Sequence, residues 1–141
     1  MAKSRIMVAV STPWASEKLF QTVRDLAVRL DGSVIVAHVA VPHEEDESEA
    51  DTRQRGELTL STLTTRLSEV KIPAEGVLLF GDDIARAILN AAEAHHASLL
   101  ILGATGKGRV ARLLAGDVPQ QVLRQADRPV LIFPPDWSGT V

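Results

Sequence analysis

Apolar residues along this chain take two alternating forms: short unbroken runs, and longer stretches in which they recur every three or four positions. Ile6-Met-Val-Ala-Val10 is a run of the first kind, closed by Ser11-Thr12-Pro13, and suits a strand buried on both faces. Leu19, Phe20, Val23, Leu26, Ala27 and Leu30 then form one face of a helix, with Asp31-Gly32 as a glycine stop. Val34 to Val41 is a second β-branched run ended by Pro42, and the acidic stretch His43 to Asp51 reads as a solvated loop. Between Ala50 and Val70, Leu60, Leu63, Leu67 and Val70 make a helical stripe, weakened early by Gly56. Gly76 to Phe80 is a third strand, and Asp82 is placed to cap a helix facing inward through Ile84, Ile88, Ala91 and Ala92. Ser98 to Leu102 is a fourth strand, Val118, Val122, Leu123 and Ala126 a fourth helical face, and Pro129 to Phe133 a last strand stopped by Pro134-Pro135.

Strands that alternate with helices, and whose apolar runs are too continuous for a half-wet sheet, predict an α/β fold. The expected architecture is a single doubly wound domain over residues 1–141, a parallel sheet with helices on both faces and a frayed tail from Asp136 to Val141. A chain of 141 residues buries about two-thirds of the surface its unfolded form exposes, so no disulfide or metal staple is needed. Composition then narrows the function. A net charge of −3 speaks against a nucleic-acid surface, and the absence of cysteine removes disulfide frameworks, thiolate zinc sites and redox motifs. No run approaches the roughly 18 apolar residues of a membrane span, and Ile6 to Val10 is too short for a signal peptide, so a cytoplasmic protein is expected.

In open α/β sheets ligands bind beyond the carboxyl ends of the strands, where strand order reverses. The groups there are Ser11-Thr12, Val39-Ala40, Gly81, and the segment Gly103-Ala-Thr-Gly106 with Gly116-Asp117 further on. Gly103 and Gly106 let a backbone approach a ligand closely, and Gly116 precedes a helix whose amides favour an anion; the same glycines also suit plain turns. Two phosphate motifs fail on spacing. There is no glycine after the first strand for a dinucleotide fingerprint, and Gly106-Lys107 lacks both the earlier glycine and the following hydroxyl of a P-loop.

The pattern Gly103-x2-Gly106-x9-Gly116, running into Val118 and the closing Arg128-Pro-Val-Leu-Ile-Phe133, resembles the universal stress protein family, as does the order of elements and His38-Val39. The resemblance implies a five-stranded parallel sheet in the order 3-2-1-4-5 and a homodimer through the last strand, Pro129 to Phe133, with a regulatory partner left unidentified. In nucleotide-binding members the glycine pattern ends in Ser or Thr and holds the phosphates of ATP, and an Asp follows the first strand near the ribose and adenine. Carried over, Gly103, Gly106, Gly116 and Val118 would surround phosphates and Val39 would lie beside the adenine. Asp117 and Ser11 depart from that pattern. A carboxylate about 4 Å from a phosphate charge at an effective dielectric near 20 costs about 4 kcal/mol, or about a thousandfold in affinity. As an N-cap the same Asp is worth about 1 kcal/mol to its helix. A divalent cation shared with the nucleotide would reverse the sign of the contact.

The expected function is therefore a dimeric binding or regulatory module with a weakened adenine-nucleotide crevice formed by Ser11, Thr12, Val39, Gly103, Gly106, Lys107, Arg109, Gly116, Asp117 and Val118. The alternatives are an ATP-binding protein that uses a divalent cation and hydrolyses slowly, or an adenylating enzyme. Lys107 and Arg109 can neutralise phosphates or solvate a loop. Trp14 either leans over the crevice or closes the first helix, His38 reads as a buried, hydrogen-bonded strand residue, and His95-His96 point apart. Trp137 belongs to tail packing or to solvent. No Gly-x-Ser-x-Gly elbow or triad spacing is present, and no catalytic residue is assigned.

Overall fold

The computed structural model describes residues 3–42, 44–102, 118–134, 137 and 141. Five parallel strands, β1 (Arg5–Ala9), β2 (Ser33–Val39), β3 (Ala74–Leu79), β4 (Leu99–Leu102) and β5 (Val130–Ile132), form one sheet in the order 3-2-1-4-5. Between them run α1 (Pro13–Arg29), α2 (Glu49–Glu69), α3 (Ile84–Ala94) and the helical residues 118–125, α4. This is the α/β architecture and strand order expected from the sequence.

The continuous apolar runs are explained by a sheet covered on both sides. Ile6, Val8, Val34, Val36 and Ile101 face α1 and α2, where Leu19, Val23, Leu60, Leu63 and Leu67 meet them. Their neighbours Met7, Ile35, Ala37, Leu100 and Leu102 face the opposite layer, with Ile88, Leu89 and Ala92 of α3 and Val122 of α4. Successive strand side chains point to opposite faces, so a run with no polar position is what two covered faces require. Each aliphatic side chain fully buried contributes about 1.5 to 3 kcal/mol.

Several expectations are corrected at element ends. Leu30 and Val70 are helix C-caps and exposed, because the chain turns away there before the apolar face can continue. Leu123 also faces solvent while Val122 is fully buried. Phe80 lies past the end of β3 and is 53% exposed, with the Arg53 guanidinium 5.0 Å from its ring. Asp83, not Asp82, caps α3, its side chain accepting from the Arg86 N–H.

The glycine stop of α1 also works differently. Asp31 takes the left-handed conformation, φ 49°, and the Gly32 N–H bonds back to the Ala27 carbonyl at 2.9 Å. Gly32 is needed for space instead, since a Cβ there would lie 2.8 Å from the Ser4 carbonyl oxygen, at the point where β2 starts beside β1. The acidic stretch is only partly a loop: Ser48 caps α2 by accepting from the Asp51 N–H at 3.0 Å, and Glu49 and Asp51 occupy its first turn, where the helix dipole favours carboxylates.

Candidate functional site

The candidate site lies where the strand order reverses, at the end of β1. The last pair between β1 and β2 is Ala9 with Ala37, and the Val10 N–H still donates to the Ala37 carbonyl at 2.9 Å. Beyond that, β2 runs on through His38 and Val39, paired with Leu78 and Leu79 of β3. On the other side Leu102, the last described residue before the glycine segment, pairs with Ala9. β1 therefore stops at Ala9 between β4 and a β2 that runs two residues further. A switch point of this kind is the usual ligand position in an open α/β sheet, and the residues next to it are Ser11-Thr12 and Val39.

Thr12 is committed on one side. Its hydroxyl oxygen accepts the Ala15 N–H at 3.0 Å as the N-cap of α1, and its carbonyl accepts the Ser16 N–H at 3.1 Å. With a lone pair of the oxygen engaged, the hydroxyl is best used toward a ligand as a donor, which suits a ribose or phosphate oxygen. Pro13 at the first helical position removes one amide that an anion would otherwise meet. Ser11 and Thr12 are half-buried, Val39 is buried, and Val118 is half-buried at the start of the described part of α4. The structure places Ser11 and Thr12 directly after β1 and Val39 at the end of the neighbouring β2. Gly103, Gly106, Lys107, Arg109, Gly116 and Asp117 lie outside the described residues.

Two anchors hold the rim. His38 is buried, with Nδ1 2.8 Å from the Val10 carbonyl oxygen, so the ring nitrogen carries the hydrogen and donates. The imidazole thus replaces a ladder bond at the point where β1 and β2 part. Arg55 of α2 donates to the Val41 carbonyl at 3.1 Å and pairs with Glu47, while the Thr52 hydroxyl donates to Glu47 Oε1 at 2.8 Å. Sequence reasoning missed Arg55 and Glu47, reading the segment as solvated. Gly56 was the available signal. A glycine inside a helix costs about 1 kcal/mol against Ala, and here a Cβ would sit 2.7 Å from Leu78 Cδ1 and 3.1 Å from His38 Cδ2. Gly81 marks the exit of β3 with φ +146°, a conformation that other residues rarely adopt.

Elsewhere, Trp14 lies in the first turn of α1, 38% exposed, with the Lys18 ammonium 4.9 Å from its ring. Trp137 packs against Phe133 with ring centroids 5.4 Å apart and planes tilted by 44°, and donates from Nε1 to the Thr22 hydroxyl at 3.0 Å. His95 caps α3, and His96 follows it at φ 55°. Among the described residues no three or more His, Cys, Asp or Glu side chains gather to hold a metal ion, and no helix is long and apolar enough to cross a membrane.

The family model described as the universal stress protein family matches residues 3–134. The chain belongs to the universal stress protein family. Solved structures agree on the fold. A universal stress protein family member from Burkholderia pseudomallei superposes with a TM-score of 0.73 at 20% identity, covering 94% of this chain and 96% of that one. The universal stress protein of Archaeoglobus fulgidus in complex with dAMP gives 0.70 at 22% identity, covering 94% and 98%. A family member from Arabidopsis thaliana with AMP bound gives 0.68 at 19% identity, covering 94% and 92%. Among curated proteins no sequence matches the chain.

Proposed function

We propose that this universal stress protein is a single-domain, dimeric binding or regulatory module of the cytoplasm. Its switch-point crevice takes an adenine nucleotide more weakly than family members with an intact glycine-Ser/Thr ending. The observation that supports the reading is the end of β1 at Ala9 while β2 runs on to Val39, in a fold whose relatives from Archaeoglobus and Arabidopsis are described with dAMP and AMP. In this reading Val39 lies beside the base, the Thr12 hydroxyl donates to the sugar or phosphate, and Gly103, Gly106, Gly116 and Val118 surround the phosphate. Ser11 and Asp117 alter the site at its two ends.

The segments that follow β2 and β3 are acidic, against Arg53 and Arg55 of α2 beside Phe80 and Val41. Asp82 and Asp83 follow β3, and Glu44, Glu45, Asp46 and Glu47 follow β2. A polyphosphate would then depend on Lys107, Arg109 or a shared divalent cation, whereas a monophosphate brings less charge to the same place. Calorimetric titration of AMP and ATP, with and without magnesium, tests the proposal. Weak AMP binding, and ATP binding that improves with magnesium, are expected. Asp117→Ser should tighten ATP binding by about tenfold to a thousandfold in the absence of metal. Low-micromolar ATP binding without metal by the unaltered protein would overturn the weakened site in favour of an ATP-binding protein. No heat with any nucleotide would remove the nucleotide reading altogether.

A further inference from the structure

We propose that Arg55 is a positioning residue that sets base selectivity in the crevice by fixing the backbone where β2 leaves the sheet. The inference rests on the nucleotide reading above. Past Ala37, β2 is paired with β3 through Leu78 and Leu79, and the Ala40 N–H donates to the Leu79 carbonyl at 2.8 Å. Its other side, around Val39, faces the gap left by the end of β1. A strand edge presents backbone donors and acceptors at fixed spacing, and such an edge distinguishes adenine from guanine only if it is held still, because the two purines exchange donor and acceptor on their pairing edges.

The holding groups come from the first two turns of α2. Arg55 donates to the Val41 carbonyl at 3.1 Å, two residues beyond Val39. The same guanidinium is oriented by Glu47, which also accepts from the Thr52 hydroxyl at 2.8 Å, so the fork has one geometry. The adjacent Gly56 is what brings α2 this low: its Cα faces Leu78 and the His38 ring with no room for a Cβ. His38 in turn fixes the opposite wall through the Val10 carbonyl at 2.8 Å. One corner of α2 therefore pins both rims of the gap. A charge-assisted hydrogen bond to a backbone carbonyl is strong enough for its loss to change affinity by about tenfold.

The test uses the full-length protein as Arg55→Met, with Glu47→Gln as a milder second variant that keeps the acceptor oxygen and removes the charge. Affinities for AMP and GMP are measured by calorimetry, and the fold is checked by circular dichroism. The unaltered protein is expected to prefer AMP. In Arg55→Met, AMP binding should weaken about tenfold while GMP binding changes little. Glu47→Gln should move the ratio in the same direction by less. A general loosening of the fold would lower both affinities together, so a conserved AMP-to-GMP ratio in either folded variant overturns the proposal while leaving the nucleotide reading intact. Failure of the unaltered protein to bind AMP overturns both. If Arg55→Met does not fold, the Glu47→Gln ratio decides alone.

Discussion

Arg128 shows how one side chain can join three elements. From the turn before β5 it donates to the Ala92 and Ala97 carbonyls at 2.9 and 2.8 Å, and it pairs with Glu93 and Asp127 at 2.6 and 3.0 Å. Its guanidinium is held above its ordinary value, first by the Asp127 hydrogen bond and then by Glu93 acting against burial. Arg128→Met should cost about 2 kcal/mol in urea unfolding, mainly because the Ala97 carbonyl loses its donor while Ala92 keeps the Ala97 N–H. Asp127 is held below the usual carboxylate range by the Arg128 hydrogen bond and charge. A lowered pKa stabilises the fold above the unfolded value and is lost as pH falls through the folded one. The gap between the unaltered protein and Arg128→Met should therefore narrow below about pH 4.

The helix ends offer a second residue-scale test. α1, α2 and α3 close with Asp31, Lys71 and His96 at φ 49°, 66° and 55°, and in each the following N–H bonds back five residues. A non-glycine residue there costs about 1 to 2 kcal/mol, whereas Gly adds about 0.4 to 1 kcal/mol of unfolded-chain freedom. Strain is the larger quantity, so Lys71→Gly and His96→Gly should each stabilise by about 0.5 to 1 kcal/mol, seen as a higher thermal midpoint.

At the scale of elements, Gly56 sets two effects against each other. Gly56→Ala gains about 1 kcal/mol of helix propensity, but the new Cβ meets Leu78 and His38. The Leu78 methyl can swing aside. The His38 ring is held by the Val10 carbonyl, so α2 must lift, and overpacking of this kind costs about 1 to 3 kcal/mol. A net loss of about 1 kcal/mol in chemical denaturation is expected. A more stable variant would mean that the helix-sheet contact is looser than the distances imply.

The same contact shows where sequence patterns inform and where they stop. Period and run length located all five strands and the helices; for β1, β2 and β4 this is because burial on two faces writes itself directly into residue order, while β3 and β5 at the sheet edges keep apolar runs that are only partly covered. Leu30, Val70 and Phe80 misled for one reason: an apolar residue at the end of a stripe continues the period after the chain has turned outward, whereas Leu123 lies within α4 one position round the helix from the buried Val122. Arg55 and Glu47 were hidden because their pairing depends on how low α2 sits over β2, a distance that only Gly56 hints at. The switch point was legible as the end of β1, where Ser11 and Thr12 follow β1 and Val39 ends β2. Which groups of Thr12 remain for a ligand was not, because capping is decided by backbone geometry.

For the molecule as a whole the open question is the edge beside β4. β5 is three residues long and follows β4 alone in the sheet order, and Leu131 and Ile132 on its two faces are 37% and 39% exposed. An edge with apolar side chains on both faces and backbone groups that no further described strand shares invites pairing, and a second copy in twofold symmetry satisfies both copies at once. Native mass spectrometry should show a dimer. In a symmetric interface each substitution is felt twice, so Leu131→Lys with Ile132→Lys alters four positions. At about 1 kcal/mol for each partly buried aliphatic group, the dissociation constant should rise by about a thousandfold. The intrachain pairs from Leu100 to Val130 and Leu102 to Ile132 involve backbone already satisfied within one copy, so the monomer should keep its circular dichroism spectrum. A monomeric unaltered protein, or a double variant that stays dimeric at micromolar concentration, would move the interface away from β5.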